Sequence, residues 1–196
     1  IWKRNSFKYN YIMTRVKCIV NYDGSKFHGF QIQNKLRTVQ GEIQKALKNI
    51  CKEEIIIHGS GRTDAKVHGV KQVFHFDTTR EMPESQWKRA INHFLPNDIY
   101  ILDTKFVSND FHSRYSAIKK EYHYLLSTNE YSPFQTNYIF QYGHSLDINL
   151  MKEAAKIFIG VHDFASFCSY DQYGNTIREL YELSISNDNG IIKFVL

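Results

Sequence analysis

The order in which two periodicities follow one another restricts this fold more than any other feature of the chain. Arg15 to Tyr22 alternates, with Val16, Cys18, Val20 and Tyr22 on one face, and Asp23-Gly24-Ser25 then breaks it, which reads as a strand and a loop. From Val39 the apolar positions Val39, Ile43, Ala46, Leu47 and Ile50 follow helical spacing, with Thr38 placed as N-cap. Glu54 to Ile57 is a short β-branched strand, and Lys71 to Asp77 alternates Gln72, Phe74 and Phe76 against Val73 and His75. Pro83 opens a helix whose Trp87, Ala90, Ile91 and Phe94 share a face, and Leu95-Pro96 closes it before a strand over Ile99 to Val107.

The second half has the same style without a recognisable sequence repeat. Glu121 to Leu126 reads as a strand, and Asn129 to Gln141 as an aromatic, polar excursion. Asp147 caps a helix with Leu150, Met151, Ala154 and Phe158 inward and Gly160 at its end. Ile177 to Ser186 and Ile191 to Leu196 form a hairpin around Asn187 to Gly190. Strands interrupted by single helices, mostly within reach of antiparallel neighbours, make the fold class α+β. Residues 1–12 precede the first strand and are set apart as an N-terminal extension. Residues 13–110 form an N-terminal half and 111–196 a C-terminal half, which stops within an apolar strand and is expected to be incomplete.

With 196 residues, 42% of them hydrophobic, the chain has the material for one substantial core or two small halves, and it is not a disordered polymer. A net charge of +5 favours polyanionic partners without requiring them. Cys18, Cys51 and Cys168 stand far apart, so neither a disulfide framework nor a zinc knuckle is indicated, and a reducing cytoplasm is the expected setting. No apolar run approaches the roughly 18 residues of a membrane span. The histidines lack ligand spacing, so no metal site is expected.

Chemistry concentrates between the two strands, at Gly59 to Gly69. Glycine permits a positive φ or the close approach of a backbone, which makes room for a substrate. Asp64 supplies a carboxylate, and Arg62, two residues away, can hold it charged or bind a phosphate. An aspartate so placed serves as nucleophile, general base or turn former, and the residue types alone do not choose. Thr63 is suited to ordering the turn through its hydroxyl, and His68 to bridging backbone groups or touching RNA.

The stretch GRTDAKVH, Gly61 to His68, followed at once by a strand, resembles the catalytic motif of the tRNA pseudouridine synthase A family, usually GRTDAGVHA. Tyr22-Asp23-Gly24 with Phe27, Gly29, Gln31 and Gln33 is similar to the family's opening, and Thr38-Val39-Gln40 to its first helix start. Asn92 with Leu95 to Ile99, Phe111 to Arg114 with Ser116-Ala117 and Lys120 to Tyr122, Gly160 with His162 to Phe164 and Ser166-Phe167, and Thr176 to Arg178 continue the likeness in order.

The resemblance implies a fold of two ferredoxin-like, RRM-like halves sharing a mostly antiparallel sheet, with the active cleft between them. It implies an enzyme that converts uridine to pseudouridine on the 3′ side of the tRNA anticodon stem-loop, without cofactor or metal, working as a homodimer. Asp64 maps onto the catalytic aspartate, which attacks ribose C1′ or ring C6 or abstracts a sugar proton. Tyr122 maps onto a tyrosine that stacks on the flipped uracil, and Arg62 suits the gap left in the stack or a phosphate. Candidate RNA contacts are Lys26, Phe27, Arg114, Lys120 and Arg178, with Phe27 and its neighbours His28 and Phe30 equally able to cap the core.

The chain departs from the pattern at Lys66, where glycine is usual, at Gly69, where alanine is, and at Phe30, where tryptophan is common. If position 66 needs a positive φ, lysine there costs roughly 1 kcal/mol. The family's segment of the form G.GFLH.MVR is not present. Rival readings are a synthase acting on another RNA, a non-catalytic RNA-binding module, and a glycoside-type hydrolase, which wants a second carboxylate that the sequence does not supply beside Asp64.

Overall fold

A computed structural model describes residues 13–168 and 174–196; the extension assigned to residues 1–12 lies outside them. The chain divides into two compact units, the first ending at Ile118 and the second beginning at Lys119.

The first unit runs β1 (Thr14–Tyr22), α1 (Val39–Cys51), β2 (Ile57–Gly59), β3 (Gly69–Thr78), α2 (Glu84–Phe94) and β4 (Ile99–Val107). Its sheet has the order β2-β3-β1-β4, antiparallel throughout, which with this element order is the ferredoxin-like β-α-β-β-α-β arrangement. The alternation of β1 places Val16, Cys18, Val20 and Tyr22 in the core, where Phe74 and Phe76 of β3 join them. Helix α1 buries Val39, Ile43, Ala46, Leu47 and Ile50. Its first turn is capped by Thr38, whose Oγ1 accepts from the Gly41 N–H at 3.3 Å. Helix α2 contributes Trp87 and Ile91, with the Trp87 ring edge-on to Phe76 at 5.3 Å. Removing a side chain such as Trp87 costs on the order of 3–5 kcal/mol.

Two expectations shift. The strand expected over Glu54 to Ile57 pairs instead over Ile57–Gly59, because these residues face Phe76, His75 and Phe74 across β3. Phe94, expected inward, is exposed: it is the last residue of α2, and the backbone extends at Leu95.

The second unit comprises β5 (His123–Ser127), β6 (Phe140–Gln141), α3 (Ile148–Ala155), β7 (Gly160–Asp163), β8 (Ile177–Leu180), β9 (Ser184–Asp188) and β10 (Ile191–Val195). Its main sheet has the order β6-β5-β10-β9, antiparallel except for the β5–β6 pair, and β7 pairs with β8 apart from it. The succession β5, α3, β9, β10 with pairing β5-β10-β9 repeats β1, α1, β2, β3 with pairing β1-β3-β2. The molecule is thus α+β. Leu126, Ala155, Ile185 and Ile192 form the small core of this unit.

Here too the sequence reading needs correction. The strand expected over Ile177 to Ser186 is two strands with different partners, β8 on β7 and β9 on β10. The β9–β10 turn carries Asn189 at φ 49 and Gly190 at φ 81, the two positive angles of a type I′ hairpin turn. Strand β5 starts at His123 rather than Glu121. On α3 the inward face is Ile148, Met151 and Ala155, whereas Leu150 and Ala154 are exposed. The helix packs the face with Ile148, Met151 and Ala155, which leaves Leu150 and Ala154 on the outer side, and gives way to a 3-10 turn at Lys156–Phe158.

Candidate active site

The loop between β2 and β3 is held on a second loop, the one that follows β1. Phe30 N–H donates to Thr63 O at 3.0 Å, and Lys66 N–H to Phe27 O at 3.1 Å, so the two backbones are laced together on either side of Asp64. Such an approach requires a residue without a side chain at Gly29, which has φ +88 and whose Cβ would lie 2.7 Å from Thr63 O. Within the turn, Val67 N–H donates to Asp64 O at 3.2 Å.

The supporting loop is fixed at its base. Asp23 accepts from Ser25 N–H at 2.9 Å and caps a 3-10 turn at Gly24–Lys26. Arg37 donates to both oxygens of Asp98 at 2.8 Å and lies 4.1 Å from the centre of the Phe27 ring. The Arg37 guanidinium holds the Asp98 carboxyl below its usual range. Phe27 is therefore sandwiched and 2% exposed, and Phe30 is buried as well; both cap the core, and neither presents a ring to RNA.

Between the loops lies a concavity of ≈ 290 Å³ lined by His28, Gln31, Ile32, Gln33, Arg62, Thr63, Asp64 and Ala65. Arg62 and Asp64 are both exposed, and among the described residues no ion pair joins them. The carboxylate stands at the wall of a polar hollow open to a small ligand. Of its walls, Arg62, Thr63 and Asp64 were legible in the turn motif. His28 and Gln31 to Gln33 come from a loop whose contribution is a matter of tertiary placement, although Gln31 and Gln33 belong to the opening segment of the resemblance.

Thr63 and His68 have defined partners. Thr63 Oγ1 lies 2.8 Å from Tyr22 Oη, so its hydroxyl is used in ordering the turn. His68 Nδ1 accepts from Gly24 N–H at 3.1 Å and sits 3.2 Å from Asp23 Oδ1, which ties the end of the turn to the supporting loop.

The glycines act differently from the simplest expectation. None of Gly59, Gly61 and Gly69 has a positive φ; that angle falls on Lys66, at φ 68. Gly59 and Gly69 serve close approach, since a Cβ would lie 2.6 Å from the Phe30 ring at the first and 2.2 Å from the Tyr22 ring at the second.

The remaining sequence-derived residues are placed as follows. Lys26 and Arg114 are exposed in the first unit. In the second, Tyr122 is 55% exposed and pairs its backbone with Leu196, donating to Leu196 O at 2.7 Å and accepting from Leu196 N–H at 3.0 Å. Lys120 is exposed beside it. Arg178, also exposed on β8, donates to the nearby carbonyls of Asn175 and Ile177 at 2.6 and 2.7 Å.

A second polar cluster, missed in the sequence, lies on the sheet face away from the helices. The His75 ring centre is 5.0 Å from that of His58 and 4.8 Å from that of His112, and its Nδ1 is 2.9 Å from Ser113 Oγ. Burial, with Arg15, His58 and His112 nearby, pushes the imidazole down to about 4. Arg15 donates to both Asp77 oxygens at 2.7 Å and to Asn109 O and Phe111 O at 2.5 and 2.8 Å, so with the His75–Ser113 contact the segment after β4 is fastened to the sheet at three points. Among the described residues no helix is long and apolar enough to cross a membrane.

A family model described as tRNA pseudouridine synthase matches residues 18–116 and 154–196. The chain is 44% identical over 188 residues to tRNA pseudouridine synthase A 1 of Bacillus cereus, covering 93% of this chain and 76% of that protein. It is 45% identical over 188 residues to tRNA pseudouridine synthase A of Oceanobacillus iheyensis, covering 93% and 74%. With the tRNA pseudouridine synthase A of Bacillus subtilis it shares 42% identity over 173 residues, covering 86% and 70%.

Proposed function

The chain belongs to the tRNA pseudouridine synthase family, and on that premise we propose that it isomerises uridine to pseudouridine on the 3′ side of the tRNA anticodon stem-loop, with Asp64 as its catalytic carboxylate. The observation that carries the assignment to Asp64 is the hollow of ≈ 290 Å³ in whose wall it stands, exposed and flanked by Arg62 and Thr63.

The reaction breaks the bond from uracil N1 to ribose C1′, turns the base, and makes a bond from C5 to C1′. The C5 proton departs and N1 is left protonated, so atoms and electrons balance with no oxidant, reductant or cofactor. A carboxylate at Asp64 is suited to this as a nucleophile toward C1′ or C6, or as a base toward a sugar proton. A uridine in a stem must first leave the stack, which costs roughly a few kcal/mol. Arg62, exposed at the rim of the hollow, is suited to filling the vacated space or holding a phosphate. Tyr122, exposed at the start of β5, is suited to stacking on the extruded base, worth on the order of 1–3 kcal/mol. Thr63 and His68 then serve by fixing the turn, and Lys26, Arg114, Lys120 and Arg178 by contacting the phosphate backbone.

The reading includes a homodimer that binds tRNA jointly, and a cytoplasmic setting. It is tested by treating tRNA transcripts with the full-length protein and mapping pseudouridine by carbodiimide-dependent stops in reverse transcription. Stops confined to the 3′ arm of the anticodon stem-loop are expected. Stops elsewhere, or only in another RNA, would replace the proposed substrate.

A further inference from the structure

We infer that Tyr22 and Gln72 are positioning residues for Asp64, acting as a clamp that fixes the turn at Gly61 and Thr63; the inference rests on Asp64 as the catalytic carboxylate. Tyr22 Oη lies 2.5 Å from Gln72 Oε1 and 2.8 Å from Thr63 Oγ1, and Gln72 Nε2 lies 2.8 Å from Gly61 O. The direction of every bond follows. Gly61 O can only accept, so the Gln72 amide must turn its nitrogen toward it and its oxygen toward Tyr22. The one phenolic proton then goes to Gln72 Oε1, which leaves Thr63 to donate its hydroxyl proton to Tyr22 Oη. The chain of donors runs from Thr63, one residue before Asp64, through Tyr22 and Gln72 to Gly61, closing a ring around Arg62.

The backbone is shaped to make this ring. β1 and β3 slip in register between Val20 and Tyr22: Val20 faces Gln72, but Tyr22 faces Gly69. Three residues of β3 thus oppose two of β1, a bulge, and Lys71 absorbs it at φ 60 with its N–H on Asn21 Oδ1 at 2.8 Å. Without the bulge residue 70 would lie under Tyr22; with it, Gly69 does, and the tyrosine ring rests where a Cβ would be, 2.2 Å from Cε1. Gln72 is left on the same face as Tyr22, its amide beside the phenol. Tyr22 is 4% exposed, and burial raises its pKa, so the phenol remains a proton donor through the range in which the enzyme would act.

The Asp64 side chain has no hydrogen-bond or ion-pair partner among the described residues, so its direction is inherited from the backbone on which it stands. Thr63 carries two of the restraints on that backbone, the hydroxyl bond to Tyr22 and the Phe30 N–H on its carbonyl. Displacing a reacting group by about 1 Å can cost about 100-fold in rate, and loosening one of two restraints is expected to cost about a tenth of that.

The test uses the full-length protein, Tyr22→Phe, Gln72→Met, their double variant, and Asp64→Asn. Hydrogen release from C5 of labelled uridine is followed in a single turnover under saturating enzyme, alongside tRNA affinity and the thermal midpoint. Each single variant is expected to lower the rate roughly 10-fold with affinity changed less than about twofold. The double variant should fall about as far as the slower single one, because both break the same chain of bonds. Gln72→Glu keeps the acceptor for Tyr22 and loses the donor to Gly61; it stands in if Gln72→Met does not fold, with the same fall expected. Rates within about twofold of the unaltered protein while Asp64→Asn is inactive, or losses that multiply in the double variant, overturn the clamp. Release undiminished in Asp64→Asn overturns the reading of Asp64 itself, and the inference with it.

Discussion

Val67 O lies 2.1 Å from the point where a Cβ on Gly24 would stand. The obstacle is a backbone oxygen that cannot rotate away, and Val67 belongs to the turn that carries Asp64. Gly24→Ala is therefore expected to push the two loops apart, costing about 1–3 kcal/mol of stability and lowering the rate by more than that loss of folded protein explains. Thermal unfolding and single-turnover hydrogen release check the two effects separately. An alanine variant as stable and fast as the original would show that the loops do not meet at this point.

Lys66 occupies a left-handed conformation, φ 68, at a position where glycine is usual in the family. Replacing it with glycine should relieve about 1 kcal/mol of strain. If the lysine contacts phosphate, as its place two residues beyond Asp64 suggests, the same change lowers tRNA affinity and reduces the slope of log affinity against log salt by about 0.7–0.9. Lys66→Gly is thus expected to be more stable and to bind less tightly, measured by thermal unfolding and by binding titrations at several salt concentrations. An unchanged salt slope would leave the lysine without a part in binding.

His75 sets the response of stability to acid. It is 1% exposed, and its folded value of about 4 lies below the ordinary 6.5. The folded chain keeps this imidazole neutral while the unfolded chain takes up a proton, so stability falls as pH drops from about 6.5 to about 4 and loses nothing more on this account below. The Asp77 carboxyl, held low by Arg15, adds a loss that begins only in the ordinary carboxylate range and deepens as pH falls further. His75→Gln should be less stable at neutral pH and should show a flatter midpoint between pH 4 and 7. The same slope with and without the histidine would contradict the assignment.

Tyr122 is exposed at the start of β5 and is proposed to stack on the extruded uracil. Tyr122→Phe keeps the ring and should retain tRNA affinity, whereas Tyr122→Leu should weaken binding of the extruded base by on the order of 1–3 kcal/mol. Competition binding with tRNA transcripts compares the two. Equal affinity in the leucine variant would remove the tyrosine from the base-binding surface.

Periodicity made β1 and α1 legible almost residue by residue, because each buries one continuous face and the buried set is then the apolar set, whereas β3 also buries His75 on its other face. The second unit resisted: α3 carries apolar residues on two sides, and the sheet covers only the side with Ile148, Met151 and Ala155. The split of one apparent strand into β8 and β9 depends on which partner each finds, which alternation does not encode. The repeated pairing order of the two units is a property of connections and leaves no trace in residue identities. At the site, the turn residues announced themselves by glycine spacing and chemistry. Gln72 did not, and Tyr22 stood out only as the head of the opening segment of the resemblance, because their partnership exists only once the bulge at Lys71 brings phenol and amide together.

The central claim is that Asp64 performs the isomerisation, and the most direct measurement is hydrogen release from C5 of labelled uridine in tRNA transcripts by the full-length protein and by Asp64→Asn. The account predicts release by the unaltered protein and none above background by the variant, with tRNA affinity and thermal midpoint retained in both. Release by the variant at an undiminished rate, or none by the unaltered protein on any tRNA, would contradict it.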